Sequence, residues 1–253
     1  TNGKSNCSSK WISMILLSIN ELQGFLIGLL YGIWNTLYIS IIGTVVGLII
    51  GLVCGIIRVQ SVNPYDNAFI KFLKKSSNFL IKSYVNLFRG TPMILQALLL
   101  YYTFLYVFKM YEIATPIASL ITVSINTGAY LTEVIRNGIQ SIDKGQMEAS
   151  RALGMSQSKA MFYVIFPQAL KNSFASIGNE FIINIKDTSV LQIIGLQDVF
   201  YVIENQALND YKILLWYLFA GVIYLVLTYG CSKILTITEK RIGAPIKEIT
   251  SSN

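Results

Sequence analysis

The chain has 253 residues, 53% of them hydrophobic and only 13% charged, with no histidine and a formal net charge of +7. A charged fraction about half the roughly 25% of soluble domains makes lipid the solvent for most of the chain, and the missing histidine excludes His-ligated haem, His-ligated zinc and a histidine general base. The three cysteines, Cys7, Cys54 and Cys231, stand far apart, with neither metal-ligand spacing nor the even count of a disulfide framework.

Thr1 to Lys10 is polar and lacks an initiator Met, as in a cut or processed end or the tail of a larger polypeptide. Trp11 to Ile19 is apolar but about half the roughly 20 residues a crossing helix needs, so it reads as an interfacial helix anchored by Trp11. Phe25 to Ile57 is the first span, and Gly43, Gly47, Gly51 and Gly55 form a stripe on one of its faces, expected to pack against a neighbouring helix. Lys71, Lys74, Lys75, Lys82 and Arg89, interleaved with Phe69, Phe72, Phe79 and Leu80, fit a helix lying on, or entering from, an anionic membrane face. Phe88 to Pro92 breaks that helix, after which Met93 to Phe108 is predicted as the second span.

Ile113 to Val134 is the third span and carries Asn126 and Glu133. Arg136, three residues on, can neutralise Glu133 on the same face, as a structural ion pair or as part of a substrate contact. Ser173 to Ile185 is a poor span by hydropathy, with Asn179, Glu180 and Asn184 followed by Lys186 and Asp187. A helix this polar at membrane depth faces the protein interior or a wet cavity, so it is the first candidate for lining a path. Val190 to Asp210 has apolar pieces too short to span and reads as a re-entrant or external capping segment. Ile213 to Ile237 is the last span.

Between the third and fourth spans lies Gly145 to Pro167, polar and helix-compatible. Ala149, Ser150, Ala152 and Gly154 keep its surface thin enough for another protein's groove, and Gly154 suits a turn between two short helices better than a helix interior. Pro167 is expected in the first turn of the next helix.

With this loop in the cytoplasm the amino terminus falls outside, and fifteen of the twenty Lys and Arg residues lie inside. That asymmetry is the positive-inside pattern, and it accounts for the net charge without a nucleic-acid partner. The expected architecture is an all-α integral membrane protein of about five transmembrane helices. It divides into residues 1–24, an external segment with the interfacial helix; residues 25–237, the membrane domain; and residues 238–253, a cytoplasmic tail.

The loop resembles the EAA loop of ABC importer permeases, with Glu148, Ala149, Gly154 and the Val164-Ile165-Phe166-Pro167 ending at the family spacing; Ser150 and Phe166 are mild departures. Over nearly all its length the chain resembles permeases of polar amino acid ABC importers. The carrying residues are Thr36 to Ser40, Phe88 to Pro92 with Gln96, Gly128-Ala129-Tyr130 with Glu133 and Arg136, Gly145-Gln146, Pro167-Gln168-Ala169, and Asn179 to Ser189. Ala175 stands where the family often has a proline, which puts a helix kink there in doubt.

The resemblance implies a type I importer permease working as a homo- or heterodimer in a bacterial plasma membrane. It implies two cytoplasmic ATPase subunits, which carry the ATP and Mg, and an external amino-acid-binding protein, possibly fused before Thr1. No Walker-type loop occurs in this chain, so no cofactor and no ATP hydrolysis of its own are expected. Gly145, Gln146, Glu148, Ala149 and Gly154 are then assigned to ATPase coupling. Glu133 and Arg136 are assigned to support near the cytoplasmic gate, and Asn126, Asn179, Glu180, Lys186 and Asp187 to the path or its gate. The alternative is an ion-gradient-driven secondary amino-acid transporter, against which the loop and the absence of a visible inverted repeat argue.

Overall fold

The computed structural model describes residues 3–60 and 66–242, with side chains described from Glu21 onward, Asp210 excepted. Every regular element among the described residues is helical: α1 (Gly3–Val59), α2 (Ala68–Gly90), α3 (Met93–Tyr102), α4 (Ala114–Gln140), α5 (Lys144–Ala152), α6 (Gln157–Ala160), α7 (Phe166–Asp187), α8 (Val199–Asp210) and α9 (Ile213–Ile242). The α1 segment Glu21–Val59 and α9 are long and apolar enough to cross a membrane, and α2 with Met93–Val107 passes as one broken span bent by 105°. Helices α4 and α7, of 27 and 22 residues, have the roughly 20-residue length a crossing requires but carry polar residues along it, some of them buried, such as Thr127 and Asn184.

The bundle is set by the glycine stripe. A Cβ on Gly43, Gly47, Gly51 or Gly55 would come under 3.0 Å from Val123, Thr127, Leu131 or Ile135 respectively. Residue numbers rise together on the two helices, so α1 and α4 run parallel with their backbones in near contact, the geometry small residues permit. Helix α7 is antiparallel to both: Ser173 meets Gly138, and eleven residues later Asn184 lies between Thr44 and Thr127. Helix α9 touches α7 through Leu235 against Gly178, and α8 packs through Val199 and Ile203 on Leu29 of α1 and Ala220 of α9 at the opposite end. Val59, Gln140, the start of α7 and the end of α9 therefore gather at one end of the bundle, the loop end, with α5 and α6.

Several expectations change. Met93 to Phe108 is not a span by itself: Pro92 supplies no N–H to continue α2, so α2 stops partway up the bundle, level with Asn126 (Tyr84 donates to the Ile125 carbonyl at 2.6 Å), and α3 leaves at an angle. The apolar run belongs instead to a helix pair bent by 105° at the break and ended by a π turn, Thr103–Val107. Glu133 is not near a helix end, because α4 continues to Gln140. The backbone of α1 runs without a break from Gly3, so Trp11 to Ile19 is not a separate helix; the expected Trp11 anchor lies outside the described side chains. No break occurs at Ala175 in α7. Pro167 lies in the first turn of α7, and the π turn Met161–Ile165 ahead of it lets the chain stay helical where a proline removes a donor.

Substituting Gly51 by Val should force α1 away from α4, since the new Cβ would meet Leu131 Cβ at 2.7 Å and Leu131 backbone carbon at 2.9 Å. Overpacking of this kind costs roughly 1–3 kcal/mol and should lower the melting temperature of the detergent-solubilised protein by several degrees. Gly221→Ala in α9, where nothing lies within 4 Å, should leave it unchanged.

Candidate functional site: a broken helix, an ion triad and a docking loop

At mid-depth the break between α2 and α3 frees carbonyls that need partners away from water. Gln96, buried at 7% exposure, donates from Nε2 to the Phe88 carbonyl (3.0 Å), the Thr91 carbonyl (3.1 Å) and Thr91 Oγ1 (2.9 Å). Asn126 of α4 donates to Gln96 Oε1 at 3.0 Å and to the Phe88 carbonyl at 3.3 Å. The amide N–H groups of Asn126 thus hold the break in place, a role that the sequence pattern of one isolated Asn does not reveal. One turn of α4 nearer the loop end, the Arg89 guanidinium sits over the Tyr130 ring, 5.0 Å from its centroid, and within electrostatic reach of the half-buried Glu180 carboxylate. Sequence reasoning missed Arg89 as a site residue; its place directly before a Gly-Thr-Pro helix break was the available signal.

The polar residues of α7 fall on three faces. Asn179 and Lys186, seven apart, are exposed; Glu180 and Asp187, also seven apart, are half-buried. Asn184 turns inward, accepting from Thr127 Oγ1 at 3.1 Å and donating to Thr44 Oγ1 at 2.8 Å. That knot ties α1, α4 and α7 together and leaves Glu180, not Asn184, toward the cluster at the break.

Toward the loop end Glu133 receives two guanidiniums. Its Oε1 pairs with Arg58 Nη1 of α1, and its Oε2 with Arg136 Nε at 2.8 Å, while Arg136 Nη1 reaches Gln140 at 2.8 Å. The expected Glu133 and Arg136 pair therefore exists, and Arg58, which the sequence did not connect to it, makes it an inter-helix triad. Glu133 is structural here, joining the end of α1 to α4 two turns before α4 ends.

At the loop, Asp143 caps α5, accepting from the Gly145 N–H at 2.7 Å, and Ser156 caps α6, accepting from Lys159 N–H at 3.3 Å. Between them Gly154 takes φ +83°, the left-handed turn that glycine permits. Of the small residues expected to keep the surface thin, Ala149, Ala152 and Gly154 are exposed, as are Gly145, Gln146 and Glu148, but Ser150 is buried at 5% and donates back to the Gln146 carbonyl. Beneath that surface Met147 and Met161 pack into a cluster with Ile135, Ile139, Ile165 and Ala169. The loop is therefore bolted to α4 and α7. Leu153 is 85% exposed and Tyr163 76%; neither was singled out from sequence, although an apolar residue immediately before the turn glycine was in view.

A family model described as "Binding-protein-dependent transport system inner membrane component" matches residues 47–243. The glutamine transport system permease protein GlnP of Escherichia coli is 33% identical over 165 residues, 65% of this chain and 75% of that protein. The probable amino-acid permease protein YxeN of Bacillus subtilis is 32% identical over 169 residues, 66% of this chain and 75% of that protein. Among solved structures, an amino acid ABC transporter with histidines aligns with a TM-score of 0.74 at 33% identity, covering 89% of this chain and 97% of that one. The MetNI methionine ABC transporter aligns at 0.69 and 18% identity, a likeness of fold. The chain belongs to the binding-protein-dependent transport system inner membrane component family and is a permease subunit of the amino-acid ABC transporter kind. The gradient-driven carrier finds no support in any of these matches.

The triad gives a charge-ordered test. Glu133→Ala leaves Arg58 and Arg136 facing each other and should cost roughly 1–3 kcal/mol, discounted for partial exposure, whereas Arg136→Ala leaves the Arg58 pair intact and should cost less than half as much. Thermal melting of the two solubilised variants checks the order.

Proposed function

We propose that this permease takes up polar amino acids by ATP-driven alternating access, with the α5–α6 loop as the cytoplasmic grip of a separate ATPase. The amino terminus then lies outside and the α9 end inside a bacterial plasma membrane. The observation that carries this reading is mechanical. An exposed apolar knob, Leu153, stands on a capped, glycine-turned loop whose underside is packed through Met147 and Met161 into the ends of α4 and α7. Force applied to the knob reaches the crossing helices without an intervening flexible joint, which is what a rigid-body switch between inward and outward access requires.

The path runs past the mid-depth cluster. An amino-acid zwitterion has one carboxylate and one ammonium; the fork of Arg89 suits the first and the Glu180 carboxylate the second. Asp187, seven residues on from Glu180 and on the same face, continues the path along α7 toward the outer mouth, with Asn179 and Lys186 on the adjoining exposed face. A second permease chain, homologous or identical, closes the path, two ATPase subunits hold ATP and Mg, and an external binding protein delivers the amino acid.

Leu153→Asp, at an exposed position, should leave the melting temperature unchanged while ATP-dependent uptake in proteoliposomes with ATPase and binding protein falls by about tenfold or more, the loss expected of an interface hot spot. Co-purification of the ATPase should fall with it. Uptake that continues at the wild-type rate with the ATPase still bound would remove the loop from the coupling role.

A further inference from the structure

Helix α2 carries five cations and no carboxylate. Lys71 and Lys74 have partners in the chain, Lys74 at Asp66 over 2.7 Å, and Arg89 has the Tyr130 ring. Among the described residues, neither Lys75 nor Lys82 has a carboxylate within ion-pair distance. The two are exposed and, being seven residues apart, stand two turns apart on one line of the helix. Beyond Lys82 that line continues through Asn86 and Arg89, neither of which supplies a negative charge. A hollow of ≈ 260 Å³ lies beside it, lined by Lys74, Lys75, Asn78, Phe79 and Lys82. On the side of the hollow away from the bundle the surface is apolar, with Phe79 and Leu80 exposed.

The depth of the hollow follows from the helix break. The Phe88 carbonyl accepts from Asn126, which stands midway along α4. From there α2 leads back toward the loop end, so at 1.5 Å per residue Lys82, Asn78 and Lys75 lie about 9, 15 and 20 Å along the axis from Phe88. Half the hydrocarbon thickness is about 15 Å. The hollow therefore straddles the level where acyl chains give way to headgroups, and the long stem of Lys82 brings its ammonium to that level. We propose that the hollow binds the headgroup of an anionic phospholipid in the loop-end leaflet. The Lys75 and Lys82 ammoniums and the Asn78 amide meet the phosphate oxygens, while Phe79 and Leu80 lie against the start of the acyl chains. A phospholipid supplies both halves of this match at one depth, a negative charge at the boundary and hydrocarbon beside it. The site needs only the membrane placement of the bundle, not the amino-acid path or the coupling role of the loop.

The test is native mass spectrometry of the full chain in detergent, titrated with phosphatidylglycerol or with phosphatidylcholine of the same acyl chains. The first phosphatidylglycerol should bind about tenfold or more tightly than the first phosphatidylcholine, the effect of two lysines beside an anionic headgroup. Lys75→Gln with Lys82→Gln, at exposed positions, should abolish most of that preference and leave the melting temperature unchanged. Lys233→Gln with Lys240→Gln removes the same charge from exposed positions at the loop end of α9 and should keep the preference. Glycerol 3-phosphate, which has the headgroup chemistry without the chains, should not displace the lipid. Equal binding of the two lipids, or a preference that survives the α2 double substitution, overturns the site. So does an equal loss in both double variants, which marks a general effect of charge. Displacement by glycerol 3-phosphate, or by addition of the ATPase subunits, overturns the lipid as occupant and gives the hollow to a free phosphate or to that protein.

Discussion

The close parallel contact of α1 and α4 is the constraint on which the rest depends. Four glycines at intervals of four let two backbones approach until no side chain fits between them. Once that seam is closed, little but a small side chain such as Thr127 fits against α1 along it, and α4 meets a long α1 side chain only beyond the last glycine, where Glu133 pairs with Arg58. Asn126 and Tyr130 are directed instead toward α2 and α3, where the helix break and the Arg89 stack use them. Membrane burial makes each of these pairings necessary, since an unsatisfied polar group in hydrocarbon costs several kcal/mol.

The two halves of the molecule carry their polarity differently. At mid-depth, hydrogen-bonding capacity is created by breaking a helix and is then largely consumed within the protein by Gln96 and Asn126. What remains available is the charge of Arg89 and Glu180. Toward the loop end one carboxylate, Glu133, is shared by two guanidiniums, and the apolar cluster around Ile135 and Ile165 takes over. The unpaired polarity thus sits at the middle and the apolar packing at the loop end, with α4 and α7 joining them.

Much of this was legible from the sequence because membrane proteins leave few options. The glycine stripe, the Gly154 turn and the Glu133–Arg136 pair each follow from local spacing, whereas of the polar residues singled out on α7 only Asn184 turns fully inward and Asn179 and Lys186 stay exposed. What spacing does not contain is which distant residue completes a pair. Arg58 is 75 residues from Glu133, and Gln96 and Asn126 are 30 apart; nothing in either local pattern names the other. The second crossing was misplaced for a related reason. Hydropathy finds the apolar half, Met93 onward, but the lysine-bearing half of the same crossing is hidden by its own cationic face. Ser150 was assigned to the wrong side of α5 because small size says nothing about direction.

The seam also restricts how the chain can change in length. Because Gly43 through Gly55 match Val123 through Ile135 residue for residue, inserting or deleting one residue inside either stretch turns every later position by about 100° and carries the remaining glycines off the contact. Compensation would require the same indel in the other helix at the matching level, 80 residues away. Length variation is therefore channelled into the connections between helices and into α2's free end, while the two seamed segments behave as a fixed ruler against which the remainder of the molecule is measured.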